Sequence, residues 1–183
     1  MKINKLPPLD YLKQCFTIDE TLACGLRWIN ERPKSHFSTQ KGCTTWSSHY
    51  AGKPSGSILG NGYYYSRLSK SRYPNHRIIY AIHNNTIDFN DKLIDHIDGN
   101  KHNNKPSNLR LVTNAQNQYN SNKQKNNTSG HKNISFCKKN KKYRCAMRFE
   151  GKDVYIGLFN SLEEAITARD LKFKQLAGHF YRS

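Results

Sequence analysis

Residues 93–104 read Leu-Ile-Asp-His-Ile-Asp-Gly-Asn-Lys-His-Asn-Asn, and the chain runs on through Asn108-Leu109-Arg110 to Thr113-Asn114-Ala115-Gln116-Asn117. Asp95 offers a carboxylate and Asn117 a side-chain carbonyl, both hard oxygen donors. Such donors suit Mg²⁺ or Mn²⁺, and Mg²⁺ takes only one or two protein ligands beside water and phosphate. His96 stands next to Asp95. An imidazole with an ordinary pKa of about 6.5 is largely neutral at pH 7 and can accept a proton. Together these groups could hold one hard cation and activate a water molecule.

A lone Asp-His pair in a turn is more often structural than chemical, so the surrounding positions decide its reading. Five other histidines are read as bystanders: His83, His102, His131 and His179 as solvated loop or surface residues, and His76 as packing or hydrogen-bonding beneath the site. Asp98, followed by Gly99, reads as a turn residue. An EF-hand is excluded, because with Gly99 as its sixth position the first would be Ile94 and the twelfth Lys105.

A short apolar stretch around Ile94 predicts a strand that ends at Asp95-His96. The polar loop after it cannot be core, and Leu109–Val112 predicts a second strand. Thr113 stands three residues before Gln116, a capping box that starts a helix with Asn117 in its first turn. A strand–loop–strand–helix unit of this length brings the first strand's end beside the helix start. Adjacent side chains on a strand point to opposite faces, so Asp95 and His96 can serve one site only where the strand bends.

The charge balance names a class of partner. The chain of 183 residues carries 30 Lys and Arg against 13 Asp and Glu, a net charge of +17. Residues 1–94 contribute +7, residues 95–122 only +1, and residues 123–183 +9. Such a surplus makes the compact state repel itself but attracts polyanions. The five cysteines form no Cys-x-x-Cys pair, and no apolar signal-like stretch follows Met1. Reduced, mostly packed thiols in a cytoplasm are expected. No apolar run is long enough to cross a membrane.

Elsewhere the pattern predicts small elements. Residues 9–31 read as strands or a short helix, and residues 32–62 as loops and hairpins anchored by Trp46. Tyr63-Tyr64-Tyr65 and Arg77–Ile82 read as two strands, with the turn region at Ser69–Asn75 between them. Residues 120–130 are almost wholly polar and read as a linker. Tyr143, Cys145, Met147 and Phe149 alternate with Arg144, Ala146 and Arg148, the period of a half-buried strand. Glu150–Asp153 predicts a turn and Val154–Phe159 the returning strand. Ser161 with Glu164 caps a helix whose apolar face includes Leu162, Ile166, Phe173 and Leu176, and Gly178 ends it. The fold class expected is α+β in two domains. Residues 1–122 would hold the chemistry, with the motif at 93–122, and residues 123–183 would form a linker followed by three strands and a helix.

Asp-His-x-Asp-Gly-Asn, then Asn-Asn, Asn-Leu-Arg and Thr-x-x-x-Asn resembles the ββα-metal motif of HNH endonucleases, especially those of phages and mobile introns. The resemblance implies a hydrolase that cleaves double-stranded DNA, a homing-type or phage-encoded nicking enzyme. It implies one Mg²⁺ or Mn²⁺ per active site on Asp95 and Asn117, with His96 as general base and Asn108 bracing the loop. Asn rather than His at position 117 disfavours zinc, and Asn120, one turn on, is an alternative ligand. One metal and one base make a single cut, so a nicking monomer is expected. Residues 10–122, including Trp28, Ala51-Gly52-Lys53 and His76-Arg77, resemble the N-terminal region of phage members. Residues 128–180 resemble the three-stranded DNA-binding domain of plant ethylene-response factors, which implies Lys142, Arg144 and Arg148 as DNA-facing positions. There Tyr143 stands where that family usually has Trp. Two rival readings are a sequence-specific DNA-binding regulator with a decayed nuclease site and an RNA-binding ribosome factor.

Overall fold

The computed structural model describes residues 4–119, 127 and 129–178. The chain forms two compact units, Met1–Leu111 and Val112–Ser183. The domain boundary read from the sequence at 122/123, Asn120 and His179 all lie outside the described residues. Both units mix helices with small sheets. Among the described residues, no helix is long and apolar enough to cross a membrane.

The first unit opens with helix α1 (Leu9–Lys13) and an antiparallel pair, β1 (Phe16–Ile18) with β2 (Leu26–Trp28). Phe16 lies opposite Trp28 in register, and their rings stack 4.4 Å apart. Helix α2 (Gln40–Tyr50) follows, capped by Thr39, whose side chain accepts from the Gly42 amide. This corrects the expectation of loops and hairpins over residues 32–62. The helix buries none of its residues fully, so its sequence carries no strong apolar period. Its Trp46 packs edge-on to Trp28 at 5.6 Å.

Strands β3 (Ser57–Ile58), β4 (Tyr64–Leu68) and β5 (Ser71–Pro74) form a small antiparallel sheet. Leu68 pairs with Ser71, so the turn takes only Ser69 and Lys70, and Ser71–Pro74 is strand rather than turn. The run read as a second strand, Arg77–Ile82, is helical. It belongs to α3 (Asn75–His83), where Asn75, Ile78, Ile79 and Ala81 are buried. Positions 75, 78, 79 and 82 share one helical face, which a short β-branched run disguises.

Asn75 staples the start of α3. Its Nδ2 donates to the carbonyls of Cys24 (2.8 Å) and Ser55 (2.7 Å), and its Oδ1 accepts from Ser66 Oγ at 2.8 Å. Both amide hydrogens and the oxygen of this buried side chain are thus engaged, which offsets the cost of burying it. Strand β6 (Leu93–His96) pairs with β7 (Leu109–Val112) and packs against α3. The core of this unit gathers Leu12, Phe16, Leu26, Trp28, Leu68, Ile78, Ile79 and Leu109.

The second unit carries α4 (Asn114–Tyr119) and a three-stranded antiparallel sheet in the order β10–β9–β8. Its strands are β8 (Ile134–Cys137), β9 (Lys142–Phe149) and β10 (Lys152–Phe159), and helix α5 (Leu162–Ala177) packs on β9 and β10. The predicted turn at Glu150–Asp153 is tighter than read. Phe149 pairs with Lys152, and Glu150 and Gly151 both have positive φ (49° and 79°), the two-residue hairpin geometry that matches strand twist. Ser161 Oγ accepts from the Glu164 amide at 3.1 Å, a cap contributing about 1 kcal/mol. Beneath α5, Cys145 and Met147 on β9 meet Ala165 and Phe173. All five cysteines are free thiols, and Cys15, Cys24 and Cys145 are buried.

Candidate active site

The loop between β6 and β7 is built by asparagine side chains. Asn108 Oδ1 accepts from the Asp98 amide at 3.1 Å, while its Nδ2 donates to Asp98 Oδ1 (2.9 Å) and to the Asn103 carbonyl (2.8 Å). The Asn108 carbonyl in turn accepts from the Ile97 amide at 2.8 Å. One buried side chain thus ties both ends and the middle of a twelve-residue loop between His96 and Leu109. Asp98 also accepts from Asn103 Nδ2 and from the Asn100 amide. Burial pushes the Asp98 carboxyl up, but its hydrogen bonds outweigh that and hold it below the usual range.

At the exit of β6, Asp95 is mostly enclosed and accepts from Arg110 on β7. Arg110 Nε lies 3.3 Å and Nη2 3.1 Å from Asp95 Oδ2. His96 is buried, with 3% of its surface exposed. Its Nε2 lies 3.1 Å from Oδ1 of Asn104. Burial pushes the His96 pKa below the ordinary imidazole value. The Asn104 hydrogen bond and the charges of Asp95 and Asp98 pull it partly back up. Burial thus favours the neutral form of the ring.

His76, on the first turn of α3, meets His96 edge to face with centroids 5.3 Å apart, and Tyr63 lies within 5.9 Å of His96 and 5.1 Å of His76. Lys101 Nζ sits 4.6 Å from the centre of the Tyr63 ring and donates to the Asn61 carbonyl. Burial drives the His76 pKa down to about 3, with the nearby His96 and Arg77 adding to the effect. His76 thus packs against His96 from beneath, as the sequence suggested.

The structure brings Asp95, His96 and Asn108 together within the first unit. Asn117 lies on the first turn of α4, in the second unit, where its amide donates to the Thr113 carbonyl at 2.9 Å. The capping box is reciprocal. The Thr113 amide donates to Gln116 Oε1 at 2.8 Å, and the Gln116 amide to Thr113 Oγ1 at 3.2 Å. Among the described residues, no three His, Cys, Asp or Glu side chains gather into a metal cage. Sequence reasoning missed three contributors: Asn104, Tyr63 and Arg110. The Asn103-Asn104 pair was visible as part of a motif, but its partners were not.

On the second unit, Lys142, Arg144 and Arg148 are exposed along β9, opposite the side that buries Cys145 and Met147. Tyr155, 58% exposed, joins this open face, with the Arg144 guanidinium 5.8 Å from its ring centre. Tyr143 instead lies on the helix side, packed with Ile134, Cys145 and Ala165.

Residues 73–119 match a family described as HNH endonuclease, and the matched stretch holds Asp95, His96, Asn104, Asn108, Arg110 and Asn117. No curated protein and no solved structure matches the chain significantly.

Proposed function

We propose that the chain is a divalent-metal-dependent endonuclease that hydrolyses phosphodiester bonds in double-stranded DNA. The observation that carries this reading is a buried His96 directly following Asp95, inside a stretch that matches the HNH endonuclease family. Asp95 and Asn117 offer only hard oxygens. They would hold one Mg²⁺ or Mn²⁺, which when bound neutralises charge on the scissile phosphate and the departing 3′ oxygen.

His96 is the general base. It takes a proton from water, the water oxygen attacks phosphorus in line, the bond to the 3′ oxygen breaks and that oxygen takes a proton from solvent, leaving a 5′-phosphate and a 3′-hydroxyl. A neutral ring is required for that step, and burial favours it. Asn108 holds the loop so that Asp95 and His96 keep their places at the strand's end.

The second unit serves as the DNA-binding module. Its three-stranded sheet with helix α5 packed on it supports the resemblance to ethylene-response-factor domains, and Lys142, Arg144 and Arg148 face outward together. In that role the open sheet face enters the major groove, and Tyr155 is added to the contact set. One base per chain makes one cut, so the monomer nicks a single strand. A phage-encoded or intron-homing role follows from the motif resemblance alone.

A plasmid-nicking assay tests the proposal. Wild-type protein should nick with Mg²⁺ or Mn²⁺ and stop with EDTA, and His96→Ala should lose roughly 10²–10⁴-fold in rate with DNA affinity unchanged. No cation-dependent nicking by the wild type defeats the reading. A His96→Ala protein retaining more than about a tenth of the rate removes His96 as the base.

A further inference from the structure

Asn104 is buried, with 3% of its surface exposed, and both ends of its amide are committed. Nδ2 donates to the carbonyl of Ala23 at 2.9 Å, across 81 positions of sequence. A carbonyl only accepts, so the end facing Ala23 must be the nitrogen. The end facing His96 is therefore the oxygen, and it too only accepts. His96 Nε2, 3.1 Å away, must carry the hydrogen between them. Neutral imidazole has one N–H and one lone pair, so the lone pair falls on Nδ1.

The backbone protects this arrangement. Gly25, two residues beyond Ala23, has φ +73°, and a Cβ there would lie 2.8 Å from Asn104 Cβ and 2.5 Å from Ile79 Cδ1. Only glycine lets the loop around Ala23 approach Asn104 closely enough to accept its amide hydrogen.

We propose that Asn104 is a positioning residue that locks His96 in the tautomer with hydrogen on Nε2, making Nδ1 the atom that takes the proton from water. The proposal rests on the nuclease reading for its catalytic consequence, though the placement of the hydrogen does not. When Nδ1 accepts the water proton, the ring becomes an imidazolium. Asn104 Oδ1 keeps its bond to the Nε2 hydrogen, and Nδ1 later returns its proton to solvent. An imidazole in the wrong tautomer presents an N–H where the base must be.

The test uses the full chain labelled with ¹⁵N in histidine, with the His96 ring signals identified by their loss in His96→Gln. The wild type should show a protonated-type Nε2 and an unprotonated-type Nδ1 at neutral pH. Asn104→Ala should mix the two tautomers and lower kcat for nicking about 10- to 100-fold while leaving DNA affinity unchanged. A wild-type His96 with hydrogen on Nδ1 overturns the proposal, and needs no variant to show it. Full kcat in a folded Asn104→Ala protein also overturns it. A wild type with the Nε2–H signature that never nicks instead defeats the nuclease reading and leaves the hydrogen assignment standing.

Discussion

Arg110 aims both Nε and Nη2 at one oxygen of Asp95, Oδ2, across the β6–β7 pair at 3.3 and 3.1 Å. Both side chains are largely enclosed, at 13% and 12% exposure, so the pair is less screened than one on the surface. The guanidinium orients the carboxylate that the proposed function assigns to the cation. Arg110→Ala should therefore destabilise the protein by about 1–3 kcal/mol in EDTA, the cost of removing a charged hydrogen-bond partner. Saturating Mg²⁺ should recover part of that loss, because an ion on Asp95 supplies the missing positive charge and stabilises only the folded state. Melting curves with and without Mg²⁺ check this. A loss untouched by Mg²⁺ would count against Asp95 as a ligand.

His76 gives the fold an acid limit. Its pKa falls from 6.5 unfolded to about 3 folded, so between those values the unfolded chain binds a proton that the folded chain refuses. Stability is fully present above about pH 6.5 and drains away as pH falls toward 3. At about 1.4 kcal/mol per unit, reduced for the ring's residual exposure, the loss across the window is on the order of 3 kcal/mol. Asp98 works in a lower window: its depressed pKa adds stability that is lost only below its usual value of 3.8. Urea titrations from pH 7 to 4 should show a shallower slope for His76→Gln than for the wild type. Equal slopes would mean that His76 is protonated in the folded protein.

Gly25 and Gly151 both have positive φ, yet their substitution should differ. At Gly25 an added Cβ meets Ile79 and Asn104 within 2.8 Å, whereas at Gly151 nothing lies within 4 Å. Gly151→Ala should cost only the backbone strain, about 1–2 kcal/mol. Gly25→Ala adds overpacking of about 1–3 kcal/mol to the same strain. It should also lower nicking, because Asn104 must shift away from His96. Chemical denaturation of both variants decides it, and equal losses would show that the Ala23 loop yields without cost.

What the sequence disclosed was mostly local. The Thr113–Gln116 box, the Ser161 cap and the alternation in Tyr143–Phe149 all rest on contacts within about a dozen residues. Residues 77–82 misled because six positions, five of them apolar, are too few to separate a period of 2 from 3.6. Helix α2 went unread because its polar, Ser- and Thr-rich sequence is held by Trp46 docking rather than by an apolar stripe. The Ala23–Asn104–His96 chain was illegible for a different reason: its members are 81 and 8 positions apart, and no spacing rule announces such a meeting.

The open face of the β8–β9–β10 sheet carries the last prediction. Arg144 and Arg148 project from β9 beside Tyr155, while Lys139 and Lys141 sit at the exposed turn before it. If the sheet reads the major groove, an arginine on it can pair bidentately with guanine, and a lysine at the turn touches only phosphate. In the full chain, Arg144→Ala or Arg148→Ala should cost about 1–3 kcal/mol on the preferred duplex and relax base preference at one position. Lys139→Ala should weaken all duplexes alike and reduce the slope of log affinity against log salt by about 0.9. Fluorescence anisotropy over a salt series, on target and scrambled duplexes, separates the two behaviours. A binding signal insensitive to salt, or unchanged by all three substitutions, would mean that this face serves another partner and that the first unit finds the DNA.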